Sequence, residues 1–66
     1  MKKIRFSENL KSLRESAGLT QEKLAQVVGV NQRTISAWER GICEPNFQYL
    51  ALLCELFNET FDNLLS

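Results

Sequence analysis

Sixty-six residues carry eight basic and eight acidic side chains, leaving the chain formally neutral; 44% of it is apolar, with three Gly and one Pro. That composition excludes disorder and a disulfide scaffold and suits a single small helical domain, which depends on regular packing for its stability. No apolar run approaches the ~18 residues of a membrane span. MKKIRF is not followed by a signal-peptide core, so the expected compartment is the cytoplasm.

Phe6, Leu10, Leu13 and Ala17 recur at i, i+4, i+7 and i+11. They predict an amphipathic first helix ended by Gly18, with Ser7 as N-cap. Thr20 is the expected N-cap of a second helix, and Leu19 before it pairs with Leu24 inside it as a hydrophobic staple. Leu24, Ala25 and Val28 form its inner face, and Gly29 ends it. The third helix repeats the device at once, with Val30, Asn31 as N-cap and Ile35 in the same relative places. Ile35 and Trp38 face inward, and Gly41 suits the position just past the helix. A loop to Pro45 leads to Asn46, which caps a helix over Phe47 to Phe57. Asn58 tolerates a left-handed turn, and Thr60 caps a short last helix, Phe61 to Leu65. The expectation is five helices and no strands.

The chemistry of most enzymes has nothing to work with. Histidine is absent, no paired carboxylates on a shared face have an obvious base role, and no glycine-rich phosphate loop occurs. Cys43 and Cys54 lack the spacing and the companions of a zinc site. Cys54 falls among Leu50, Leu53 and Phe57 as a core residue, and Cys43 is expected as a free thiol in a loop. No cofactor, metal or small-molecule ligand is implied.

Charge is informative through its distribution. All eight bases lie within Met1 to Arg40 with four acids, a balance of 8 − 4 = +4; Gly41 to Ser66 holds four acids and no base, −4. One end is suited to an anion. On the third helix, taking about 100° per residue, Arg33, Ser36, Ala37 and Arg40 lie opposite the Ile35–Trp38 side, with Gln32 at the first turn. Small residues between long donors admit such a face to a groove, and Gln and Arg offer bidentate donors to base edges. The alternative is an ordinary solvated face. Glu39 stands about 40° from Ile35 and Arg14 about 40° from Leu10, both at the core margin. An unpaired carboxylate there is costly, so the two are expected to pair rather than sit as independent surface charges.

These residues resemble the helix-turn-helix of the lambdoid phage repressor and Cro family, also called the xenobiotic response element family. The matching residues are Leu19-Thr20-Gln21, Leu24-Ala25, Val28-Gly29-Val30, Ile35-Ser36, Trp38-Glu39, Gly41 and Pro45. The resemblance runs from Leu10 to Leu65 and implies an all-α, five-helix domain of the lambda-repressor-like type over residues 1–66. Helices 2 and 3 form the helix-turn-helix (residues 20–40), and no enzymatic activity is implied. The second helix would lie across the DNA backbone while the third enters the major groove. Base reading would fall to Gln32, Arg33, Ser36 and Ala37, and backbone contact to Gln21, Asn31, Thr34 and Arg40, with Gln21 and its helix N-terminus against a phosphate. Arg14 and Glu39 would be a structural pair. Two positions depart from the family pattern: Glu59 stands where an aliphatic residue is usual, and Val27 where many members have a solvated one.

The fourth helix carries more apolar surface than one core face requires. Around Leu50, the residues Leu53, Cys54, Phe57 and Phe47 lie within about 60°, whereas Tyr49, Leu52 and Leu56 lie some 200–260° round. A second stripe marks an interaction surface, and a homodimer joined through the C-terminal helices (residues 46–65) is expected. The alternative is burial of the stripe beneath Phe61, Leu64 and Leu65. Function is thus expected to be binding of double-stranded operator DNA by a homodimeric transcriptional regulator, a repressor. The competing expectation is an antitoxin-like module whose main partner is another protein.

Overall fold

A computed structural model describes residues 5–66; Lys2 and Lys3, two of the bases in the positive half, lie outside the described residues. The elements are α1 (Phe6–Ser16), α2 (Gln21–Val28), α3 (Gln32–Glu39), α4 (Phe47–Phe57) and α5 (Phe61–Leu65), with no strand among the described residues. Helix α3 packs against α2 and α1, while α5 closes the other end against α1 and α4. The core between them consists of Phe6, Leu10, Leu24, Ala25, Val28, Ile35, Trp38, Leu53, Cys54 and Leu64. Burial, together with the charge of Glu59, pushes the Cys54 thiol above its usual range. No helix among the described residues is long and apolar enough to cross a membrane.

Four N-caps lie where side-chain chemistry places them. Thr20 Oγ1 accepts from the Lys23 amide at 3.0 Å, Asn31 Oδ1 from Arg33 at 2.8 Å, Asn46 Oδ1 from Tyr49 at 3.0 Å and Thr60 Oγ1 from Asn63 at 3.1 Å. Each satisfies a backbone donor that has no partner within its helix. The first helix departs from expectation. Its N-cap is Arg5, which makes no side-chain capping bond, and Ser7 lies inside the first turn. Burial of Phe6, only 4% exposed, draws the helix start back by two residues. Ala17, expected in the core, is exposed in the turn after α1, because the helix stops at Ser16 before the apolar face reaches it.

The α2–α3 joint is short because Gly29 reverses the chain in one residue at φ 88°, its amide bonded to the Ala25 carbonyl at 2.8 Å and that of Val30 to the same carbonyl at 3.0 Å. A Cβ on Gly29 would meet nothing within 4 Å, so the requirement is conformational rather than steric. Gly29→Ala is therefore expected to cost about 1–2 kcal/mol from the left-handed backbone alone. Gly29→Asn should cost less, since Asn58 already holds φ 55° in this chain. Thermal denaturation that ranks Ala no worse than Asn would refute this origin.

Candidate nucleic-acid interface

Helix α3 presents its leading end to solvent. Asn31, Gln32, Arg33 and Arg40 are exposed, while Thr34, Ser36 and Ala37 are half-buried. The first turn contains no acidic residue, so the positive end of the helix dipole and the Arg33 guanidinium stand together without a neutralising carboxylate. Asn31 spends its side-chain oxygen on the Arg33 amide, leaving only its amide nitrogen to donate outward. Small Ser36 and Ala37 sit between Arg33 and Arg40 and permit close approach of another surface.

A buried polar network sets the direction in which this end points. Arg14 Nε donates to Glu39 Oε2 at 2.6 Å and Arg14 Nη2 to Glu39 Oε1 at 3.1 Å, while Nη1 donates to the Leu19 carbonyl at 2.8 Å. The two side chains are only 11% and 3% exposed, so the pair lies deeper than the core margin suggested by helical angle. The hydrogen bonds to Glu39 hold the Arg14 guanidinium protonated against the opposing effect of burial, and the charges of Glu39 and Glu15 add to that. Gln21 joins as a third member, donating from Nε2 to Glu39 Oε1 at 3.0 Å. One amide hydrogen of Gln21 is thus committed internally, leaving the second as its remaining amide donor. Spacing alone did not reveal this partner, since Gln21 and Glu39 lie on different helices and meet only when α2 and α3 pack. The network links the end of α1, the start of α2 and the end of α3, so α3 cannot rotate without breaking it.

The C-terminal face needs two corrections. Phe47, placed by periodicity on the core side of α4, is 70% exposed and stacks on Phe61, with ring centroids 5.4 Å apart. Tyr49, placed on the outer stripe, is half-buried against the core with its ring 5.7 Å from that of Trp38. Both follow from what each ring meets rather than from helical angle: Tyr49 is covered by Trp38 of α3, whereas Phe47, in the first turn of α4, stacks at the surface on Phe61, itself 37% exposed. Leu52 and Leu56 remain outside, 38% and 39% exposed. Of the segment that could have covered them, Leu64 is fully buried in the core. Glu59 is half-buried and accepts from Asn63 Nδ2 at 3.2 Å, while Val27 is exposed on α2. Cys43 is exposed in the loop after α3. Among the described residues, no group of three or more His, Cys, Asp or Glu could hold a metal ion.

The arrangement has close relatives. A family model described as helix-turn-helix matches residues 10–64. The HTH-type transcriptional activator BcrR of Enterococcus faecalis is 41% identical over 63 residues, which are 96% of this chain and 31% of BcrR. Antitoxin PezA of Streptococcus pneumoniae is 29% identical over 91% of this chain and 38% of its own. The chain thus spans about a third of the length of these two curated relatives. Among solved structures, the P22 c2 repressor protein, crystallised with a synthetic operator, superposes with a TM-score of 0.86 at 33% identity, covering 92% of each chain. With five helices in the lambda-repressor-like arrangement and a family match over most of its length, the chain belongs to the helix-turn-helix family of DNA-binding transcriptional regulators of the xenobiotic response element type.

Proposed function

We propose that this chain binds double-stranded operator DNA in a sequence-specific way, as a homodimer on a pseudo-palindromic site, and represses by occupying it. The observation that carries the proposal is the leading end of α3: capped, free of acidic residues in its first turn, and exposing Gln32 and Arg33 beside Ser36 and Ala37. In the major groove these four would face base edges, with Gln21, Asn31, Thr34 and Arg40 toward the phosphates. The likeness to a repressor crystallised with an operator supports operator binding. Leu52 and Leu56 supply the twofold contact, and Tyr49, half-buried beside Trp38, contributes less to it. A twofold axis there would set the two reading helices about 34 Å apart, one turn of DNA.

The test is binding to random and selected duplexes over a series of salt concentrations. A selected sequence should bind at least ~10³-fold tighter than random DNA. Arg40→Ala and Gln21→Ala should weaken all sequences about equally, and Arg40→Ala should flatten the salt dependence by about 0.9 in log–log slope per protomer. No preference for any duplex at low salt would reject the proposal. A second reading, an antitoxin-like module held mainly to a partner protein, is favoured by the exposed Leu52 and Leu56 and by the likeness to PezA. It calls for operator binding that is indifferent to substitution of those two leucines.

A further inference from the structure

We infer that Glu39 is a positioning residue for the contact with DNA: it holds the Gln21 side-chain amide so that an N–H, and not the carbonyl oxygen, is offered to a backbone phosphate. The inference rests on the proposed use of Gln21 as a backbone contact and adds what makes that contact effective. Gln21 is the first residue of α2 and Glu39 the last of α3, so the two meet only across the helix pair. Gln21 Nε2 donates to Glu39 Oε1 at 3.0 Å.

A glutamine amide carries a carbonyl acceptor on one side and two donors on the other, and in open solvent it turns between them. Only the donor side suits an anion. Turned over, Gln21 would set its carbonyl oxygen against the Glu39 carboxylate, two acceptors with no hydrogen between them. The bond to Glu39 excludes that orientation. The two N–H bonds of an amide nitrogen diverge, so the second hydrogen cannot share the same carboxylate oxygen and stays a donor.

Glu39 can do this because it is itself held and neutralised. Arg14 donates to both of its oxygens, at 2.6 and 3.1 Å, and the Glu39 side chain is only 3% exposed. A carboxylate fixed in this way cannot follow Gln21 away from its place. The Arg14 charge also offsets that of Glu39, so no net negative charge stands behind the donor to oppose a phosphate.

A double-mutant cycle on DNA affinity tests this, read with a random-sequence duplex at one salt concentration. Gln21→Ala and Arg40→Ala are each introduced into the native chain and into the Arg14→Met, Glu39→Leu pair, with melting curves for every protein. Without the network the Gln21 amide regains the freedom of a rotamer-rich side chain. Gln21→Ala should therefore cost roughly 2- to 12-fold less affinity per protomer in the pair background than in the native one. Arg40 is exposed and takes no part in the network, so Arg40→Ala should cost the same in both. Equal costs of Gln21→Ala in the two backgrounds overturn the inference. So does a parallel change at Arg40, which would mean that the network only holds the helices in place. If the pair variant does not fold, exchange of the side-chain amides in the native chain decides. One Gln21 Nε2 hydrogen should exchange several-fold more slowly than those of Gln26, which is exposed on the same helix, and equal rates overturn the inference. Each of these failures leaves DNA binding standing, whereas a native chain that binds no duplex overturns the reading beneath it as well.

Discussion

Glu39→Ala is expected to remove most of the stability of this domain, by about 3–5 kcal/mol. The carboxylate accepts two hydrogen bonds from Arg14 and one from Gln21, and its side chain is only 3% exposed. Deleting it leaves the Arg14 charge buried with the Leu19 carbonyl as its remaining partner. The loss is therefore that of an uncompensated charge, not of a surface ion pair worth about 1 kcal/mol or less. In a chain of this length each kcal/mol moves the melting midpoint by about 4–8 °C, so the midpoint should fall by tens of degrees or the cooperative transition should vanish. Glu55→Ala, at an exposed position on α4, should change stability by no more than about 0.5 kcal/mol. A double variant, Arg14→Met with Glu39→Leu, should recover much of the loss because two apolar groups of similar size need no compensation. Chemical denaturation of the three variants checks this. Equal losses for Glu39→Ala and Glu55→Ala would show that the network contributes nothing beyond surface charge.

Leu52→Asp combined with Leu56→Asp is expected to give a folded monomer that binds its operator about a hundredfold or more weakly. Both leucines are about two-fifths exposed and neither belongs to the buried core, so charge at these positions should leave the fold intact. On the dimer interface proposed above, the same charges would face their twins across the twofold axis, in the half of the chain that already carries four acids and no base. Loss of the second protomer removes the gain from linking two half-sites, typically 10²–10⁴-fold. Two partly exposed leucines per protomer offer less apolar area than a permanent dimer needs, so association should be weak in free solution and strong on DNA. Sedimentation with and without a two-half-site duplex, alongside circular dichroism of the variant, distinguishes the outcomes. A variant that binds as tightly as the original, with two protomers per duplex, would exclude this face from the assembly.

Much of the molecule follows from local rules that act within a few residues. Thr20, Asn31, Asn46 and Thr60 cap helices because a short side-chain oxygen reaches an unpaired amide two or three positions on, whatever the rest of the chain does. Gly29 and Gly41 mark helix ends because glycine takes positive φ without the steric cost a Cβ adds. The polar end of α3, with Arg33 and Gln32 outward and Ile35 and Trp38 inward, is likewise legible from periodicity alone. Other features depend on where the helices cross, which no short window contains. Phe6 starts α1 early because it fills the core, taking the cap away from Ser7. Asn9 donates to the Leu64 carbonyl at 2.9 Å and so fastens α5 from 55 residues away. Gln21 finds Glu39 only through the packing of α2 on α3, and Tyr49 and Phe47 exchange environments because Trp38 of α3 covers the first while Phe61 of α5 meets the second at the surface. Sequence by itself determined the five helices, the ends of all but the first, and the polar outward face of α3; tertiary structure decided where α1 begins, how deeply Arg14 and Glu39 are buried and which apolar residues stay in water. The physical reason is range: capping and backbone preference are settled between near neighbours, whereas burial is settled by whichever distant surface arrives to cover a side chain.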